Sequence, residues 1–333
     1  MASLPAGFVH AIRLASSERP AVELHDPDAI ARWRAEDGVL WLHLDYLEAP
    51  AAEWLRDRSG LDAVVFAAMT DDDPRPRVLG AGDAMLVIAR AVNLNEGAEP
   101  EDMVSLRLWI EPHRVITLRH RVVRAAKTLA ADVLDGREQP RTSGALLAEL
   151  IDRILDPIAT CVDTLDSDVD RVQDESLADD AHSRAGRDMR ARLAAVRRRA
   201  IRLRRFISPQ RDMMVRLASM TPTWLDENHR ARLREAADRQ TRTVEELDAA
   251  RDRAAVTHDE LAGRLAEVSN HRLYILSLVS VVFVPLGFVA NLLSVNVGGI
   301  PGREVDWGFW ALCGGFAVIV AVQLALFRKW RWL

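Results

Sequence analysis

Asn291, Ser294 and Asn296 close the most apolar run in the chain, and Gly298, Gly299 and Pro301 follow them at once. Neutral amides and hydroxyls accept hydrogen bonds from the water shell of a metal ion without stripping it. Mg²⁺ in particular dehydrates reluctantly. Thiolates or several imidazoles would instead hold Zn²⁺ too firmly to let it pass. If these residues meet a cation at all, their chemistry suits brief contact with its water shell better than storage.

Steps of three and four residues back from Ser294 reach Asn291, Gly287, Val284, Ser280, Ser277, Leu273 and Asn270. That spacing puts all eight on one face of a helix. Most polar and small residues of the segment fall on this face, and Leu, Val, Phe and Ile dominate the others. Polar groups at membrane depth must meet protein or water. Two readings fit: a helix–helix packing face, since Ser and Gly suit close contact, or the lining of a pore with Asn291, Ser294 and Asn296 at its outer mouth. The same heptad phase continues to Asp259, Asp252 and Glu245. A ring of such carboxylates would draw cations toward a lumen. An ordinary solvated helix face is the simpler account, because a straight helix drifts by roughly 20° per heptad from such a stripe.

The elements that must position these residues follow from patterning. Residues 273–293 and 307–327 carry no charge, and each matches the ~20 residues that cross a hydrocarbon core. Arg264 and Arg272 precede the first span, and Arg328, Lys329 and Arg331 follow the second. The loop at 294–306 offers Arg303 against Glu304 and Asp306. Cations stay on the cytoplasmic side, so both termini are expected in the cytoplasm and the protein in the plasma (inner) membrane. Trp307 and Trp310 then mark the outer interface, Trp330 and Trp332 the inner one. Gly314 and Gly315 would let the second span approach a neighbour closely.

Upstream, 1–140 reads as a cytoplasmic α+β domain with an α/β/α sheet. Strand-like runs are GVLWLHLDY (38–46), AMLVIARAVNL (84–94) and SLRLWIEPHRVITLRH (105–120). Short helices lie between them, and DDDPRPR (71–77) is a loop. Residues 141–272 read as helical, with Pro157 kinking or breaking one helix. A long stalk helix starts at Asp226 and Glu227 and runs without proline to Pro285. Residues 328–333 form a basic tail. Two spans cannot enclose a conduit alone, so a pore needs a symmetric ring of copies.

Composition narrows the alternatives. A net charge of -5 and a pI near 6.0 give no electrostatic footprint for nucleic acid. The N-terminus lacks the pattern of a signal peptide. Cys161 and Cys313 have no paired spacing, and the 9 histidines are scattered, which disfavours a disulfide framework or a thiolate zinc site. No P-loop or nucleophile elbow supports an enzyme, and no tightly bound cofactor is expected.

The stretches SVNVGGIPG (294–302), VFVPLGF upstream of it, WLHLDY (41–46), DPRPRVL (73–79) and EDMVSLRLWIEPHRVITLR (101–119) stand out together. In them the chain resembles the CorA superfamily of divalent-cation transporters, and within it the ZntB-like branch. The resemblance implies a homopentameric funnel whose first spans line the pore and whose second spans form an outer ring. Asn296 then occupies the asparagine of a GxN-type motif and meets the hydrated ion. ZntB-like members imply Zn²⁺ uptake coupled to protons; CorA members imply Mg²⁺ and Co²⁺. A membrane-anchored sensor or scaffold with a vestigial pore is the remaining alternative. The chain departs from the family pattern at Ser294 and Asn291, where glycine is usual, so the mouth gains bulk and hydrogen-bonding groups.

Overall fold

The structure, a computed structural model, describes residues 4–178, 184–294 and 306–329. The chain falls into two compact units, Met1–Asp259 and Glu260–Leu333.

The first unit is built on strands β1 (Phe8–Arg13), β2 (Val22–Glu23), β3 (Leu40–Asp45), β4 (Arg77–Ala81), β5 (Ala84–Ala91), β6 (Val104–Ile110) and β7 (Arg114–Arg119). They form one sheet in the order β2-β1-β3-β7-β6-β5-β4. Among the described residues only the β3–β7 pairing is parallel. The run 105–120 divides at Glu111–His113 into the antiparallel β6–β7 hairpin. Alternation along the strands sorts the two faces. Leu40, Leu42, Leu44, Leu86, Ile88, Trp109, Ile116 and Leu118 pack on one face against Ala51 and Leu55 of α2 (Ala49–Asp57) and Val65 and Met69 of α3 (Ala63–Thr70). Trp41, Val87, Leu108, Val115 and Thr117 are buried on the other. There His43 bonds Thr117 Oγ1 at 2.8 Å, and burial pushes its pKa down to about 3, so it stays neutral in the folded protein.

Two arginines hold the loop after α3, a role composition could not reveal. Arg107 is wholly buried beside the Tyr46 ring, 4.8 Å from its centre, and donates to Asp71 O at 2.5 Å. Arg90 donates to Pro74 O at 2.8 Å and Met103 O at 3.1 Å. Both edges of the sheet are blunted. β2 has only two residues, and β4 packs against α6 (Arg184–Ala218). A Cβ at Gly80 of β4 would come within 2.8 Å of Met220 just past α6. Beyond β4, the Gln210 side chain continues the ladder in place of a strand: it accepts from Arg90 N–H at 2.6 Å and donates to Arg90 O at 3.1 Å.

Helices then take over. After α4 (Arg124–Leu134), α5 (Ser143–Ala178) is one helix with Pro157 inside it, so of the kink or break expected there the break does not occur. α7 spans Glu227–Ser294, on the order of 100 Å at ~1.5 Å per residue. Asp226 caps it by accepting from His229 N–H at 2.8 Å, which satisfies one of the free amides of the first turn. In the first unit α7 buries Leu233, Ala236, Gln240, Val244, Leu247, Ala250, Ala254 and Thr257, a three-four repeat that suits packing between helices. Arg232 to Glu149 (2.8 Å), Arg239 to Asp156 (2.9 Å) and Arg253 to Asp170 (2.6 Å) tie it to α5, and Arg204 to Asp248 (2.6 Å) ties it to α6. Such pairs are each worth about 0–1 kcal/mol when exposed, so they fix register more than stability.

Candidate ion pathway

The second unit holds the end of α7 and α8 (Gly308–Lys329). Both helices contain stretches long and apolar enough to cross a membrane, and none of either stretch is buried within the chain. On α7 the half-buried residues are Leu278, Val282, Leu286 and Val289, with Gly287 beside them. On α8 they are Leu312, Phe316, Ile319, Val320 and Gln323, ending at the buried Phe327. Each set has helical spacing, and a hydrogen bond from Gln323 Nε2 to Val281 O at 3.3 Å joins the two helices. These are the faces the spans turn toward each other.

The polar stripe takes little part: Asn270, Leu273, Ser277, Ser280, Val284, Asn291 and Ser294 are exposed, and Gly287 alone of the stripe is half-buried. At about 100° per residue the stripe lies on roughly the opposite side of α7 from Leu278, Val282, Leu286 and Val289. A packing face toward the chain's own second span is thereby excluded. A Cβ added at Gly287, Gly314 or Gly315 would meet nothing within 4 Å, so these glycines are not used for close packing inside the chain either.

Two of the stripe serines, Ser280 and Ser294, are poised as acceptors. Ser280 Oγ donates to Leu276 O at 2.8 Å and Ser294 Oγ to Asn291 O at 2.8 Å. With the hydroxyl hydrogen turned back on the helix, the oxygen lone pairs stay open to a donor such as ion-bound water. Asn296 and the rest of 295–305, including Gly298, Gly299 and Pro301, lie outside the described residues.

In the first unit Glu245, Asp252 and Asp259 are exposed. They sit five positions after Gln240, Leu247 and Ala254, away from the buried repeat. Asp252 pairs with Arg251 at 2.7 Å, which offsets its charge locally, and Asp259 lies 3.4 Å from His258. Among the described residues no group of three or more His, Cys, Asp or Glu is placed to hold a metal ion. In a cavity of about 410 Å³ lined by Asp72, Asp73, Arg90, Glu101, Arg202 and Arg205, two of the carboxylates already face arginines. Arg205 pairs with Asp73 at 3.2 Å, and Arg202 lies 3.7 Å from Glu101.

Sequence reasoning missed Gln323. Its signal was present: it is the one amide in an otherwise apolar span, and Pro285 lies four residues beyond Val281.

The family model described as CorA-like Mg²⁺ transporter protein matches residues 36–329. The divalent cation transporter CmaX of Pseudomonas aeruginosa is 37% identical over 295 residues, covering 88% of this chain and 87% of that protein. The zinc transport protein ZntB of Yersinia enterocolitica is 32% identical over 307 residues, covering 92% and 91%. The structure of full-length CmaX superimposes with a TM-score of 0.86 at 33% identity over 100% of both chains. The CorA magnesium transporter of Methanocaldococcus jannaschii shares the fold over 100% of both chains, with a TM-score of 0.78 at 16% identity.

Proposed function

This chain belongs to the CorA-like Mg²⁺ transporter family, a family of membrane transporters, and we propose that it is one subunit of a homopentameric pore that passes divalent cations, Zn²⁺ first among them. The observation that carries the reading is the stripe on α7, exposed and turned away from α8. In lipid a face of amides and hydroxyls is costly. A ring of copies removes that cost by turning the face inward, where it meets water and the ion. In this arrangement Asn270, Leu273, Ser277, Ser280, Val284, Gly287 and Asn291 line the conduit, with Ser294 and Asn296 at its mouth. Asp259, Asp252 and Glu245 line the cytoplasmic entrance. Residues 1–140 and 141–272 form the cytoplasmic domain and stalk, 273–293 and 307–327 the spans, and 294–306 the outer loop. Support for Zn²⁺ comes from the zinc transport relatives at about 32% identity; the Mg²⁺ of the family description supports Mg²⁺ or Co²⁺ as the second reading.

The deciding experiment is flux of Zn²⁺, Mg²⁺ and Co²⁺ into proteoliposomes, with and without a pH gradient, with oligomer size measured by light scattering on the same sample. Zn²⁺ should be the fastest ion, carried by a pentamer. Equal background leak for all three ions would leave a scaffold, and an active monomer or dimer would overturn the ring.

The flanking cations Arg264, Arg272, Arg328 and Lys329 support an inner-membrane protein with both termini in the cytoplasm. In intact cells a cysteine placed at Glu304 should react with an impermeant thiol reagent, and one at Asp259 should not. The reverse pattern would invert the topology.

A further inference from the structure

Proline carries no amide hydrogen, so a proline inside a helix leaves the carbonyl four residues earlier without its partner. Pro285 lies inside α7, and the carbonyl it frees belongs to Val281. In hydrocarbon no water can take the missing place. In this structure another group does: Gln323 Nε2 of α8 lies 3.3 Å from Val281 O. The other amide atom, Gln323 Oε1, is sealed from solvent and accepts no hydrogen bond among the described residues.

We propose that Gln323 is a positioning residue that latches the second span to the proline break of the first, and so fixes how the stripe residues on either side of Pro285 are aimed along the ion path. The proposal rests on the reading of the stripe as a pore lining. Ser280 and Val284 lie before the break, Gly287 and Asn291 after it. A helix missing one ladder bond can bend or twist there. The latch holds the two halves in one register from behind, without touching the ion. A glutamine in a span is costly unless it has a partner, and the partner here is the one carbonyl in the turn that the sequence itself has orphaned.

The test compares four full-length proteins: the parent, Gln323→Leu, Pro285→Ala, and the double variant. Pro285→Ala restores an N–H for Val281 O, so the latch becomes redundant in that background. Gln323→Leu should lower maximal Zn²⁺ flux about tenfold when Pro285 is present, since interhelical bonds of this kind are individually modest but repeat in every copy. The half-saturating Zn²⁺ concentration should not move, because the outer mouth is untouched. The temperature at which the oligomer dissociates in detergent should also fall. In the Pro285→Ala background the same substitution should change flux less than about twofold and leave that temperature in place. Assembly that fails with Pro285 and returns once Pro285→Ala is added supports the latch equally. Equal effects in the two backgrounds, failure to assemble in both, or no effect with Pro285 would overturn it. If the parent itself carries no ion, the transport reading fails, and the dissociation temperatures still decide whether the latch exists.

Discussion

Replacing Asn296 with alanine should cut divalent-cation flux at least about tenfold and leave oligomer size unchanged. By the family resemblance this amide stands at the outer mouth, repeated around the axis. Its carbonyl accepts a hydrogen bond from water held by a doubly charged ion, and bonds to charged groups are worth on the order of 1.5–3 kcal/mol each. About 1.4 kcal/mol is a factor of ten, so losing one such bond already suffices. Symmetry enlarges the loss, though not additively. Asn291→Gly, which restores the residue usual in the family, should keep or raise flux. Isotope flux into proteoliposomes, with light scattering for size, reads both. An Asn296→Ala protein that conducts like its parent would remove the amide entrance from the mechanism even if transport itself stands.

Ser280→Lys should lower flux by at least about a hundredfold. Ser280 is exposed on the face opposite the α8-facing residues, so in a ring its side chain would face the axis. An ammonium and a divalent ion ~10 Å apart at an effective dielectric constant of ~20 repel by about 3 kcal/mol, and every copy adds its own charge. Ser280→Gly, which adds no charge and does not narrow the path, should stay within about twofold of the parent, in line with the small cost of losing a solvated hydroxyl. The measurement is flux at matched amounts of assembled protein. A lysine variant that inserts, assembles and conducts normally would place Ser280 against lipid or a packing partner and return the stripe to a structural role.

The parts of the fold carried by local pattern were readable from the chain. The runs at 38–46, 84–94 and 105–120 became β3, β5 and the β6–β7 hairpin, and the start at Asp226 became the cap of α7. The misses share a cause: they depend on pairing or context that a window does not contain. β1 and the two-residue β2 are defined by their partner β3 and by each other. β4 begins at Arg77, inside a stretch of charge and proline that reads as loop, because β5 supplies the ladder that its own residues do not advertise. Pro157 looked like a boundary, yet α5 continues through it, where the packed residues on both sides, such as Ile154 and Ile158, outweigh one lost bond. For the ion path, periodicity found the stripe but could not say what it faced. The half-buried set on α7 resolves that within the chain. Gln323 escaped notice because its meaning lies in a proline on another helix.

The blunted edges of the sheet carry a consequence for how copies of this protein meet. An open strand edge is a template onto which an identical chain can add its own strand, and growth by that route has no natural end. Here one edge strand is only two residues long, and past the start of β4 the Gln210 amide takes both backbone groups of Arg90 on β5. Little free ladder is left there for a neighbour's strand. In the proposed ring, copies would instead recognise one another through side chains on helices, where geometry can count subunits and stop, which a continuous ribbon of backbone bonds cannot do.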